Sequence, residues 1–127
     1  MERQTHVNSV ARTYRELRIW QKGMELCEVS YKFADRLPRD EIYGLVSQLR
    51  RASVSIPSNV AEGFGRENRG AFAQHLRIAQ GSLKELETQI LICERVGLST
   101  ADDTQAVLAL TDELGRMLRS FIRSLQD

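Results

Sequence analysis

The chain has 127 residues, a formal net charge of +1, two prolines, two cysteines and 6% aromatic residues. That length suits one domain around one core, and the near-neutral charge argues against a wholesale electrostatic grip on nucleic acid. No apolar run approaches the roughly 20 residues that span a bilayer.

Scarce proline and aromatics beside plentiful Leu, Ala, Arg, Glu and Gln favour helix over sheet, so the class reads as all-α. Residues 1–12 are polar and aperiodic and read as a flexible N-terminal tail, with a four-helix bundle filling 13–127. The opening Met-Glu-Arg-Gln-Thr-His has no signal-peptide core, and the expected location is cytoplasmic. Thr13 and Glu16 have capping-box spacing, which predicts a first helix from Thr13. Its apolar positions Leu17, Trp20, Met24, Cys27, Tyr31 and Ala34 alternate by three and four up to Pro38. Asp40 and Glu41 suit the first turn of a second helix, where the dipole favours negative charge.

The second helix carries Ile42, Leu45, Leu49, Ala52, Ile56, Asn59 and Gly63 on one face and runs to about Phe64. Pro57 lies inside it with no N–H for the Ser53 carbonyl, which predicts a kink near that point. Asn68 is a fitting N-cap for a third helix with the seam Phe72, Leu76, Ala79, Leu83, Leu86, Ile90 and Cys93, and Gly97 fits its C-terminal cap. A fourth helix opens at Ser99 or Thr100 with Asp102 and Asp103. Its seam is Val107, Leu110, Leu114, Met117 and Phe121, and it closes on Arg116, Arg119 and Arg123, as the dipole prefers. Four long helices with short connections predict an antiparallel up-down-up-down bundle.

Helix three is apolar beyond one stripe, since Ile90 to Cys93 are consecutive apolar residues and Ile78 lies off the seam. The excess predicts either a subunit interface or a wide stripe inside the monomer. Between Leu49 and Lys84, six cations (Arg50, Arg51, Arg66, Arg69, Arg77 and Lys84) face only two anions, Glu62 and Glu67. They are the candidate phosphate-binding band of helices two and three. Asn59 at a seam position needs a hydrogen-bond partner, as a register or oligomer specifier, as a partner for backbone freed by Pro57, or at a ligand. Glu62 and Arg66 have the better orientation for a helical ion pair. Gly81 in mid-helix predicts close packing on helix two near Ser53 and Ser55, with Ser82 bonding across.

No catalytic set can be assembled. His6 and His75 lack metal-ligand spacing, Glu85 and Glu87 point to different sides of a helix, and Gly63-Phe64-Gly65 follows a helix and lacks Gly-Lys-Ser/Thr. Cys27 and Cys93 read as free thiols on apolar faces. No metal, cofactor or membrane partner is expected.

Leu17, Trp20 and Gln21, then Leu37-Pro38 with Glu41 and Leu45, then Gln48, Arg51 and Ala52 carry a resemblance that sharpens at Ser55-Ile56, Asn59-Val60-Ala61-Glu62-Gly63 and Arg66. It continues through Phe72, Leu76, Ile78-Ala79, Gly81-Ser82 and Glu85-Leu86-Glu87. Over Leu17 to Leu98 the chain resembles the four-helix-bundle family of proteins encoded in intervening sequences of bacterial large-subunit ribosomal RNA genes. That family is related to the accessory variability proteins of diversity-generating retroelements, which form five-membered barrels with a basic surface and partner a reverse transcriptase and nucleic acid. The resemblance implies a homopentamer. The expectation is a non-enzymatic oligomeric scaffold with RNA or DNA as partner through the basic band; the alternative is a protein-only adaptor that uses the apolar strip of helix three.

Overall fold

The computed structural model describes residues 11–126, so the expected tail lies, for its first ten residues, outside the described part, as does Asp127. Four helices form the bundle: α1 (Arg18–Asp35), α2 (Leu45–Gly65), α3 (Arg69–Arg95) and α4 (Ala101–Gln126), with short 3-10 turns at Tyr14–Glu16 and Arg39–Glu41. No strand occurs among the described residues, and no helix there is long and apolar enough to cross a membrane. The chain is an all-α four-helix bundle.

Two helix starts differ from the expectation, for one reason. Thr13 does accept the Arg15 N–H and Glu16 does accept the Arg12 N–H, but they close a 3-10 turn. Leu17 then adopts an extended conformation that buries its side chain, and α1 begins only at Arg18. Likewise Asp40 and Glu41 lie in a 3-10 turn, and Gly44, at φ −106° and ψ −107°, breaks the chain before α2. In both places a capping signal is satisfied by a single tight turn, because i to i+3 bonds use the same donors as a helix's first turn.

The core seam of α1 also differs. Ile19, Gly23, Leu26, Ser30 and Phe33 are buried; of the expected stripe Leu17 and Ala34 are buried, Trp20 and Cys27 are half-buried, and Met24 and Tyr31 are exposed. The buried stripe is rotated by about 100°, one residue's turn, from the expected one. Packing explains the choice. A methyl at Gly23 would stand 3.5 Å from Pro57 Cβ, in ordinary van der Waals contact, so α1 lies directly against α2 there. Further along the same pair, Cys27 Sγ sits 3.6 Å from Ser53 Oγ, and Asp35 accepts from Arg50 at 3.0 Å. The helix assignment of α2 continues unbroken through Pro57.

The seam of α3 is as expected, with all seven positions from Phe72 to Cys93 buried. Asn68 accepts the Ala71 N–H at 2.8 Å as its N-cap. At the other end Gly97 takes φ +81°, where a side chain would be strained, and Leu98 N–H donates to the Cys93 carbonyl at 2.8 Å. In α4, Val107 and Leu114 are buried as expected. Leu110, Met117 and Phe121 are half-buried, and Thr104, Thr111, Gly115, Leu118 and Ile122 complete the inward face.

Candidate functional site

The densest polar chemistry lies between α2 and α3. Ser55 Oγ and Ser82 Oγ are 2.8 Å apart across the seam. One turn along, Asn59 Nδ2 donates to the Ser55 carbonyl at 2.9 Å and to Ser55 Oγ at 3.1 Å, and its Oδ1 stands 3.1 Å from His75 Nδ1. With its amide nitrogen used on Ser55, Asn59 offers His75 only an acceptor. The His75 Nδ1 therefore carries the hydrogen and donates it to Asn59 Oδ1. Asn59 is thus satisfied within the subunit, and the carbonyl it takes is that of Ser55, not the Ser53 carbonyl that Pro57 leaves without its usual donor. These four side chains clamp two helices. A nucleophile is not among them, because neither serine is bonded to the histidine.

The close approach of α2 and α3 is at a different glycine from the expected Gly81. Gly81 does not pack against α2: nothing lies within 4 Å of where its methyl would stand. The close approach is at Gly63, where a methyl would come 2.7 Å from His75 Cβ and 3.0 Å from Phe72 Cδ1. The helices meet there, below the clamp, while Gly81 looks outward.

The six cations of the expected band are placed as follows. Arg50 turns toward α1, with its guanidinium 5.2 Å from the Tyr31 ring centroid and 3.0 Å from Asp35. Arg51 is exposed and bonds Ser47 at 3.3 Å. Arg66 pairs with Glu62 at 3.5 Å, the ion pair expected from their spacing, with both side chains exposed. Arg69 donates to the Leu125 and Ser124 carbonyls at 3.3 and 3.1 Å, capping the C-terminus of α4. Lys84 pairs with Glu87 at 3.2 Å, and Arg77 is exposed with no ion-pair partner among the described residues. Arg50 and Arg69 are occupied inside the subunit. Only Arg77 and Lys84, seven residues apart on α3, share a stripe.

Reading charges along the sequence missed the arginines of α4. Arg116, Arg119 and Arg123 are all exposed and recur at spacings of three and four, the signal of one helix face. The helix dipole alone already accounts for their place near the end of α4.

Among the described residues, exposed apolar side chains include Ile42 and Tyr43 before α2 and Leu91 on α3, beside two further groups. On α3, Ile78 (45% exposed), Ile92 (42%) and Val96 (61%) line the stripe that also holds Gly81 and Glu85. On the α1–α2 side, Met24 and Tyr31 of α1 and Val54 of α2 flank the seam where Cys27 meets Ser53. Cys93 is buried, and desolvation, with Glu41 nearby, pushes its thiol pKa up from the ordinary value. Such a thiol is an inert core group. Among the described residues no group of three or more His, Cys, Asp or Glu could hold a metal ion.

A family model described as 23S rRNA-intervening sequence protein matches residues 15–120. Among solved structures, the bundle is similar to a protein of unknown function from the S23 ribosomal protein family of Bacteroides thetaiotaomicron VPI-5482. The TM-score is 0.77 at 21% identity, covering 83% of this chain and 95% of that one. At that identity the likeness concerns the fold. No curated protein matches the chain.

Proposed function

The chain belongs to the 23S rRNA-intervening sequence protein family, and on that premise we propose that it is a non-enzymatic, cytoplasmic helical scaffold that assembles with copies of itself. The observation that carries this reading is the open stripe of α3: Ile78, Ile92 and Val96 exposed in line, with nothing over Gly81 between them. A glycine in a helix interior costs about 1 kcal/mol relative to alanine. Within the subunit no close contact offsets that cost, whereas a neighbouring helix seated on the stripe would use the space.

A closed ring needs two different patches on each subunit, one to offer and one to receive. The group at Met24, Tyr31 and Val54 supplies the second, separated from the α3 stripe by the width of α2. The five-membered ring implied by the family resemblance is the assembly we propose. Light scattering on the purified protein tests it: wild type is expected at a multiple of 14.5 kDa and Ile92→Asp at the single-subunit mass. A monomeric wild type would overturn the reading.

A further inference from the structure

We infer that Arg51 is the cation that neutralises Glu85 when a neighbouring subunit seats on the α3 stripe. The two side chains are unpaired in the free subunit and close into an ion pair across the α2–α3 groove as the stripe is covered. The inference rests on the assembly proposed above and names what makes that stripe fit for burial.

The stripe is apolar except at its centre. Ile78, Glu85 and Ile92 follow one another at seven-residue intervals, about two helical turns each, and so form one line along α3. Glu85 is exposed and has no ion-pair partner among the described residues. A helix laid over the line takes its carboxylate out of water, which is strongly unfavourable unless a cation meets it.

The register between α2 and α3 supplies one. Ser55 meets Ser82 at 2.8 Å, Asn59 meets His75 at 3.1 Å and Gly63 packs on Phe72, so positions on α3 fall as those on α2 rise. One turn before Ser55 stands Arg51, and one turn past Ser82 stands Glu85, each on the face that carries its own helix's clamp serine. The pair therefore flanks the same stretch of the groove. On α3 itself the residues three and four positions from Glu85 are Gly81, Ser82, Thr88 and Gln89, all neutral, and the adjoining Lys84 pairs with Glu87. At the receiving group Arg50 is already held by Asp35 and the Tyr31 ring.

Arg51 is free to move. Its guanidinium rests on Ser47 Oγ at 3.3 Å, an exposed contact with a neutral partner, and it has no ion pair among the described residues. In the free subunit water solvates both charges, and a pair between exposed side chains gains too little to hold two long side chains in one place. Covering the groove removes that water and strengthens the attraction between them. Ion pairing and the seating of a neighbour thus favour each other. The stripe selects a partner surface that brings apolar cover and no charge of its own opposite Glu85, as Met24, Tyr31 and Val54 do.

The test is analytical ultracentrifugation, with each protein diluted until it is half dissociated. Arg51→Gln should raise that concentration at least about 30-fold, because the covered carboxylate is left alone. Glu85→Gln should stay within about 3-fold of wild type, and adding it to Arg51→Gln should restore assembly to the same level, since no charge is then covered. On the monomeric Ile92→Asp background neither substitution should move the urea midpoint, as both side chains are exposed there. An Arg51→Gln chain that assembles like wild type would overturn the inference. So would a loss that Glu85→Gln fails to rescue, which would mean that Arg51 contacts the neighbour directly. Arg51→Glu and Glu85→Arg chains mixed in equal amounts should not assemble; their assembly would show that the pair forms between subunits and not within one. A wild type that is monomeric at every concentration would instead overturn the assembly proposed above, and this inference with it.

Discussion

Gly63→Ala and Gly81→Ala should move stability in opposite directions, although both place a methyl in a helix interior. Alanine is worth about 1 kcal/mol over glycine at such a site from backbone propensity alone. At Gly81 that gain comes free of clash, because nothing lies within 4 Å, so the isolated subunit should gain about 0.5–1 kcal/mol. At Gly63 the methyl meets His75 Cβ at 2.7 Å and Phe72 Cδ1 at 3.0 Å. A Cβ moves only with its backbone, so α2 and α3 must part by several tenths of an ångström. That separation stretches the Asn59 to His75 contact one turn away. Overpacking of this kind costs about 1–3 kcal/mol, and net of the propensity gain the loss should be about 1–2 kcal/mol. Urea unfolding followed at 222 nm measures both, on the Ile92→Asp background so that assembly does not enter. A Gly63→Ala subunit as stable as its parent would refute the reasoning, as would a Gly81→Ala subunit less stable than its parent.

Ser55→Ala and Ser82→Ala should be coupled: a double-mutant cycle in urea is expected to give about 1 kcal/mol of interaction between them, and additive losses would remove the clamp from the account. Arg50→Ala should destabilise the subunit by about 1 kcal/mol by losing both the Tyr31 ring and Asp35, as chemical denaturation will show. Cys93 gives a pH dependence of definite sign. Its folded pKa is raised, so above the unfolded thiol's range of about 8.5 the unfolded chain loses a proton that the folded chain keeps, and stability falls as pH rises. Cys93→Val should flatten that alkaline decline, measured as the difference in unfolding free energy between pH 7 and pH 10, and an unchanged slope would contradict the burial argument.

The sequence made the buried seam of α3 legible because its apolar heptad is unbroken and bounded by Asn68 and Gly97, signals that the tertiary structure leaves in force. In α1 it offered two stripes about 100° apart. The richer one, with Trp20, Met24 and Tyr31, looked like the core, while the true seam contains Gly23 and Ser30, whose value lies in close approach to another helix rather than in hydrophobicity. The clamp of Ser55, Asn59 and Ser82 was readable because polar groups at seam positions must find partners, and three- and four-residue spacing told which could meet. Gly63 is legible as a seam position of α2, but its approach to His75 and Phe72 depends on the register between α2 and α3, which spacing along one helix does not give. The cations were grouped by proximity in sequence, yet Arg50 and Arg51 are adjacent residues on different sides of α2. The arginines of α4 have a sufficient explanation in the helix dipole.

The claim that matters most is that each subunit offers its α3 stripe and receives a neighbour's at the Met24, Tyr31 and Val54 group. Light scattering on an equimolar mixture of Ile92→Asp and Val54→Asp tests it directly. Each variant alone should be monomeric, and because each keeps the patch the other lacks, the mixture should form a dimer of one subunit of each kind and grow no further. A mixture that stays monomeric, or either variant that assembles alone, would contradict the two-patch ring.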